Sequence, residues 1–183
     1  MPVTLGDLPI SIFETMSGLA RAHGAVNLGQ GFPDFGWPDA LVERAAEALR
    51  SESNQYAPSR GLPALREAVA GFYRRRHGLA VDADQVTVTS GATEAIAAAI
   101  LALVAPGDEV VMFQPLYDAY LPLVERAGGI ARPVWLAPPD WRITAAALDA
   151  VIGPRTRLVI VNTPHNPSGR VFTRAELGLI AER

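Results

Sequence analysis

Short β-branched runs alternate with helix-period segments through the second half of this chain, and that rhythm restricts the fold more than any other feature. Strand patterns stand at Gln85–Thr89 (QVTVT), Glu109–Phe113 (EVVMF), Ile130–Leu136 and Arg157–Val161 (RLVIV). Helical patterns lie between them at Thr93–Val104, Tyr117–Ala127 and Thr144–Val151. Strand starts recur roughly every 20–27 residues, a spacing that suits β–α–β crossovers rather than hairpins. The expected fold class is therefore α/β: a mainly parallel sheet with helices on both faces.

The first part of the chain reads differently. Residues 1–37 are rich in Gly and Pro and predict an irregular arm, with VNLGQGFPDF (26–35) combining turn chemistry and aromatics. Pro38 opens a helix expected to reach about Arg50, with Leu41, Val42, Ala45, Ala46 and Leu49 on one face. Residues 51–61 read as a loop. Pro63 then starts a second helix to about His77, which Gly78 ends. Near the C-terminus, Thr173 and Glu176 have capping-box spacing, followed by apolar Leu177, Leu179 and Ile180. That last helix has no glycine cap and no return strand after it, so the sequence is expected to be part of a longer protein.

Composition narrows the functions. With 183 residues, 49% hydrophobic, the chain can bury a sizeable core. A net charge of −3 and one basic run, Arg74-Arg75-Arg76 at an expected helix end, argue against a nucleic-acid partner. There is no cysteine, hence no disulfide or thiolate chemistry. No metal-ligand set stands out. No N-terminal stretch has signal-peptide order, and the longest apolar run, Ala95 to Pro106, is too short for a bilayer. The expectation is a soluble cytoplasmic protein with no membrane partner. All 16 basic residues are arginines, where roughly ten lysines would be ordinary. The chain thus has no side-chain amine to form a Schiff base.

In open parallel sheets, ligands bind beyond the carboxyl ends of the strands. After the first strand pattern comes Ser90-Gly91-Ala92-Thr93-Glu94, small residues leading into a helix N-terminus. Free backbone N–H groups there make an anion cradle suited to phosphate, or simply a capped turn. After the second comes Tyr117, placed either to stack on a flat ring or to pack as an ordinary tyrosine. After the last comes NTPHNPSG (162–169). Its prolines fix the backbone and so the direction of the Asn162 and Asn166 amides, which can donate to a ligand oxygen or satisfy their own loop. His165 reads as a solvent-facing turn histidine rather than as a group at the ligand's edge. Residues 137–140, after the third pattern, offer no comparable site. A cradle, an aromatic and an amide clamp on one sheet edge describe a flat, phosphorylated, oxygen-bearing ring, and pyridoxal 5′-phosphate fits that description.

Five stretches, VNLGQGFPDF (26–35), NQYAPSRGLPALREAVAGF (54–72), VTSGATEA (88–95), FQPLYDAY (113–120) and NTPHNPSG (162–169), resemble in order and spacing the class I/II aminotransferases of fold type I, which use pyridoxal phosphate. The likeness covers essentially the whole chain and is greatest to the methionine, glutamine and kynurenine aminotransferase branch. A Rossmann fingerprint is excluded around Gly29 and Gly31, because position 34 is Asp. The resemblance implies that residues 1–50 are arm and first helix of a small domain and 51–183 an incomplete cofactor-binding large domain. It implies that Ala92 and Thr93 bind the phosphate, Tyr117 stacks on the ring, and Asn166 bonds its phenolic oxygen, with Asn162 lining the same pocket. It places Gly31 near the substrate carboxylate and Tyr56 on the phosphate of a neighbouring subunit, hence a homodimer with an amino acid and a 2-oxo acid as substrates.

The chain also departs from the family. The family's Schiff-base lysine, its aspartate partner of the ring nitrogen and its carboxylate-binding arginine fall beyond residue 183. No catalytic residue is therefore assigned, and the chain alone is expected to be incompetent in transamination. A pyridoxal-phosphate C–S β-lyase of the same fold is an alternative reaction. A non-catalytic phosphate-binding or dimerisation module is an alternative of another kind.

Overall fold

The computed structural model describes residues 11–31, 33–52 and 54–183. Its contacts divide the chain into a unit reaching to Ala57 and a unit of Pro58–Arg183.

The first unit holds α1 (Ile12–His23) and α2 (Asp39–Ser51). The appearance of α1 corrects the expectation of an irregular arm through residue 37. Ser11 caps it by accepting from Glu14 N–H, and Gly24, at φ 59°, ends it in the left-handed conformation. Turn-rich residues 24–37 hid this helix, because their Gly and Pro content dominated the composition of the whole stretch. Neither helix buries a residue, although each carries an apolar stripe.

In the second unit, α3 (Pro63–His77), α4 (Gly91–Leu103), α5 (Tyr120–Arg126), α6 (Ala145–Asp149) and α7 (Arg174–Ala181) surround strands β1 (Glu109–Gln114), β2 (Ile130–Trp135) and β3 (Thr156–Ile160). The strands are parallel in the order β2-β1-β3. The expected strand at Gln85–Thr89 is not one. A 3-10 turn spans Ala83–Gln85, and the extended residues after it pair with no strand among the described residues. Their tie is Val88 N–H to Arg60 O, 3.1 Å. Alternating β-branched residues favour extended backbone, but a strand also needs a free edge to pair with. The segment is pressed so closely on the preceding turn that a Cβ at Gly61 would meet Val88 Cγ2 at 2.5 Å.

β1 explains the core. Val110 and Met112 face one side, with Ile100, Val104 and Val124 of the α4 and α5 region. Val111 and Phe113 face the other, with Val134, Leu148 and Phe172 and the apolar residues of α7. The period-2 alternation of a strand thus feeds two cores, as a sheet covered on both faces requires. Each fully buried aliphatic side chain here stabilises by about 1.5–3 kcal/mol.

The topology positions the site. The chain leaves β1 through α5 on one face and leaves β3 into α7 on the opposite face. This follows from constant crossover handedness when the direction of strand addition reverses. Adjacent strands whose exits diverge in this way leave a crevice between their carboxyl ends.

Candidate active site

Three segments carry the candidate groups at the carboxyl edge. α4 runs back along β1, joined to it by the short turn at 104–108, and both elements are about 20 Å long. The N-terminus of α4 therefore lies level with the carboxyl end of β1. Ile96 of α4 accordingly shares a core cluster with Leu116 and Tyr120, just past β1.

At that N-terminus Ser90 makes no side-chain cap. Its own N–H donates to the Glu94 carboxylate, and Thr89 Oγ1 donates to Gly91 O at 3.0 Å. Gly91 has φ 83°, and a Cβ there would meet open space. Among the described residues nothing accepts from the N–H groups of Ala92 or Thr93, and both residues are exposed. A helix of 13 residues that starts on free N–H groups carries the charge and the donors that suit an anion.

Tyr117 lies in the turn before α5, which starts at Tyr120 and not at Tyr117 as expected. It is half-buried and meets Tyr120 edge-on, with ring centroids 5.6 Å apart and planes at 79°. Burial, with Tyr117 adding to it, pushes the Tyr120 phenol above its ordinary range. Gln114, the last residue of β1, carries a buried side-chain oxygen without a hydrogen-bond partner among the described residues. Nothing in a Gln before a Pro signals this burial in the sequence.

The loop after β3 separates the two asparagines. Asn162 Oδ1 accepts from Asn166 N–H at 2.8 Å, so Asn162 braces the loop with its oxygen. The Asn166 side chain is exposed, and its amide makes no hydrogen bond among the described residues. The expectation for His165 is corrected: it is 3% exposed. Its Nδ1 lies 2.7 Å from Ser168 Oγ, and its ring packs on Phe172. The sequence shows a histidine among prolines and gives no hint that residues 168–172 fold back over it.

Behind the loop, Glu176 completes the capping box with Thr173 and also accepts from Ile143 N–H at 3.1 Å. Burial would raise its carboxyl, but the bonds from Thr173 and Ile143 and the Arg170 charge hold it below the usual range. Gly31 and Tyr56 belong to the first unit, where both are exposed. The free N–H groups at α4, the half-buried aromatic and the free Asn166 amide fit the phosphate, ring and ring oxygen of pyridoxal phosphate.

The profile of the family "Aminotransferase class I and II" matches residues 23–183. The methionine aminotransferase of Escherichia coli K12 is 49% identical over 177 residues, covering 96% of this chain and 46% of that protein. The probable N-succinyldiaminopimelate aminotransferase DapC of Mycobacterium tuberculosis is 47% identical over 175 residues, covering 94% and 44% respectively. The crystal structure of YbdL from E. coli, with methionine aminotransferase function, superposes with a TM-score of 0.91 at 48% identity, covering all of this chain and 48% of that one. The chain belongs to the class I and II aminotransferases, whose members use pyridoxal phosphate. It has the fold type I architecture of its structural neighbours. It spans about half the length of these relatives. Among the described residues no helix is long and apolar enough to cross a membrane.

Proposed function

We propose that this chain forms the cofactor-facing part of a pyridoxal-phosphate-dependent aminotransferase, which exchanges an amino group between an amino acid and a 2-oxo acid. The observation that carries this reading is the set of unused donors at one sheet edge: the N–H groups of Ala92 and Thr93 and the amide of Asn166. In this reading Ala92 and Thr93 hold the phosphate, and Tyr117 lies against the ring. Asn166 donates to the phenolic oxygen, with Asn162 holding the Asn166 backbone in place. Bound there, the cofactor supplies an electron sink for the carbon that carries the amino group. Gly31 approaches the substrate carboxylate, and Tyr56 reaches the phosphate in a second subunit, which makes the active protein a homodimer. Residues 1–50 belong to the small domain and 51–183 to the large one. The working compartment is the cytoplasm.

The chain has no lysine, so residues 1–183 offer no side-chain amine to hold the cofactor covalently. That observation favours a second reading, in which the chain binds the cofactor without catalysis. Borohydride reduction in the presence of pyridoxal phosphate, followed by peptide mapping, separates the two. The expected result is a pyridoxyl-labelled lysine in the full-length protein and no labelled side chain within residues 1–183. Methionine consumption that requires a 2-oxo acid should accompany the label. Turnover without an acceptor would indicate a lyase. A full-length protein with neither label nor turnover would leave the non-catalytic reading.

A further inference from the structure

The buried imidazole of His165 has no role in the reading above, yet it lies one residue from Asn166. Side-chain and backbone contacts together fix the residue. Nδ1 is 2.7 Å from Ser168 Oγ, which also accepts from Arg170 N–H at 3.3 Å. The backbone closes around it, with His165 N–H donating to Arg170 O at 2.8 Å and Gly169 N–H to His165 O at 2.7 Å. The ring meets Phe172 with centroids 5.5 Å apart, and Phe172 meets Phe113 of β1 at 6.0 Å. The side chain therefore joins the loop to the sheet core on one side and to the loop's own return on the other. Asn166 receives a separate brace from Asn162 Oδ1, at 2.8 Å. An exposed amide on an unbraced loop would sample many directions, and binding would have to bear the ordering cost.

We propose that His165 is a positioning residue: its hydrogen bond to Ser168 holds the 162–169 loop so that the Asn166 amide is aimed at the ligand before the ligand arrives. The proposal rests on the cofactor reading above. A residue that merely fills the core needs apolar volume, whereas a positioning residue needs the polar bond. The two requirements rank conservative substitutions in opposite order.

The test uses the full-length protein and pyridoxal phosphate, with Kd read by fluorescence titration. His165→Asn keeps a polar atom near Nδ1 and should bind within about threefold of the parent. His165→Leu keeps apolar volume and loses the bond, and should bind about tenfold more weakly, the size of one lost hydrogen bond. Ser168→Ala removes the same bond, together with the longer one from Arg170 N–H, without touching the core, and should weaken binding at least as much as His165→Leu. Neither loss should add to that of Asn166→Ala. In the cofactor-free protein, amide exchange at Asn166 and Gly169 should quicken in His165→Leu and Ser168→Ala but not in His165→Asn. The reverse ranking, with Leu tolerated and Asn disruptive, would overturn the positioning role and leave a core histidine. If the parent and Asn166→Ala bind the cofactor alike, the cofactor reading itself fails, while the exchange rates still decide whether His165 orders the loop.

Discussion

At the amino end of the sheet, the Glu109 carboxylate lies between two arginines, with Arg155 Nη2 at 2.6 Å and Arg132 Nη2 at 3.2 Å. At the carboxyl end, the N–H groups of Ala92 and Thr93 and the amide of Asn166 find no partner among the described residues. Both edges are polar, and both lie at the ends of the same three strands. The first closes on itself: one carboxylate joins the central strand β1 to Arg132 of β2 and to Arg155, just before β3. The second keeps donors open. Polar groups that satisfy one another hold a sheet together, whereas exposed donors without a protein partner stay available to a ligand.

The largest effect should come from Asn166→Ala at the open edge. Cofactor Kd should weaken about thirtyfold, the range of a hydrogen bond to a charged acceptor, with Tm unchanged. A matching fall in Tm would break the contrast, because Asn166 would then be structural. Glu109→Ala at the closed edge should do the opposite, lowering Tm by about 5 °C and leaving Kd alone. Calorimetry and the same titration read both variants.

Acid should act on the closed edge as well. Burial would raise the Glu109 carboxyl, but the hydrogen bonds from Arg132 and Arg155 outweigh it and hold the group below its ordinary 4.5. Glu176 is likewise held below 4.5. The unfolded chain therefore binds more protons in this window. The stability from both groups is present above pH 4.5 and is lost as pH falls through their lower folded values. Tm measured from pH 7 downward should decline below about 4.5, and Glu109→Gln should shallow that decline. The smallest effect should be that of Thr93→Ala, about threefold in Kd, since the donors at α4 are backbone groups that the substitution leaves in place.

Much of this arrangement was legible in the sequence, because it is local. The β1 and β3 runs, the Gly78 stop and the Thr173–Glu176 box each depend on residues within a few positions of one another, and the structure has all of them. What was not legible depends on distant partners. Val86 and Val88 have strand residues but no strand to pair with among the described residues. His165 is a turn residue whose burial is decided by Ser168 and Phe172. Asn162 and Asn166 look equivalent in NTPHNPSG, and only the 2.8 Å contact between them shows which braces and which is free. The α1 helix was masked by the composition of its neighbours.

The double burial of β1 carries a consequence for timing. Val110 and Val111 have no exposed surface, and the strand is paired on both edges. Solvent can reach its amides only when the whole unit opens, so their hydrogen exchange should be the slowest in the chain, while those of α1 exchange by local fraying. Tyr117 stands three residues beyond the end of this strand. The aromatic proposed to face the ring thus follows closely on the last part of the molecule to let water in, and its anchor point should persist through every motion short of unfolding.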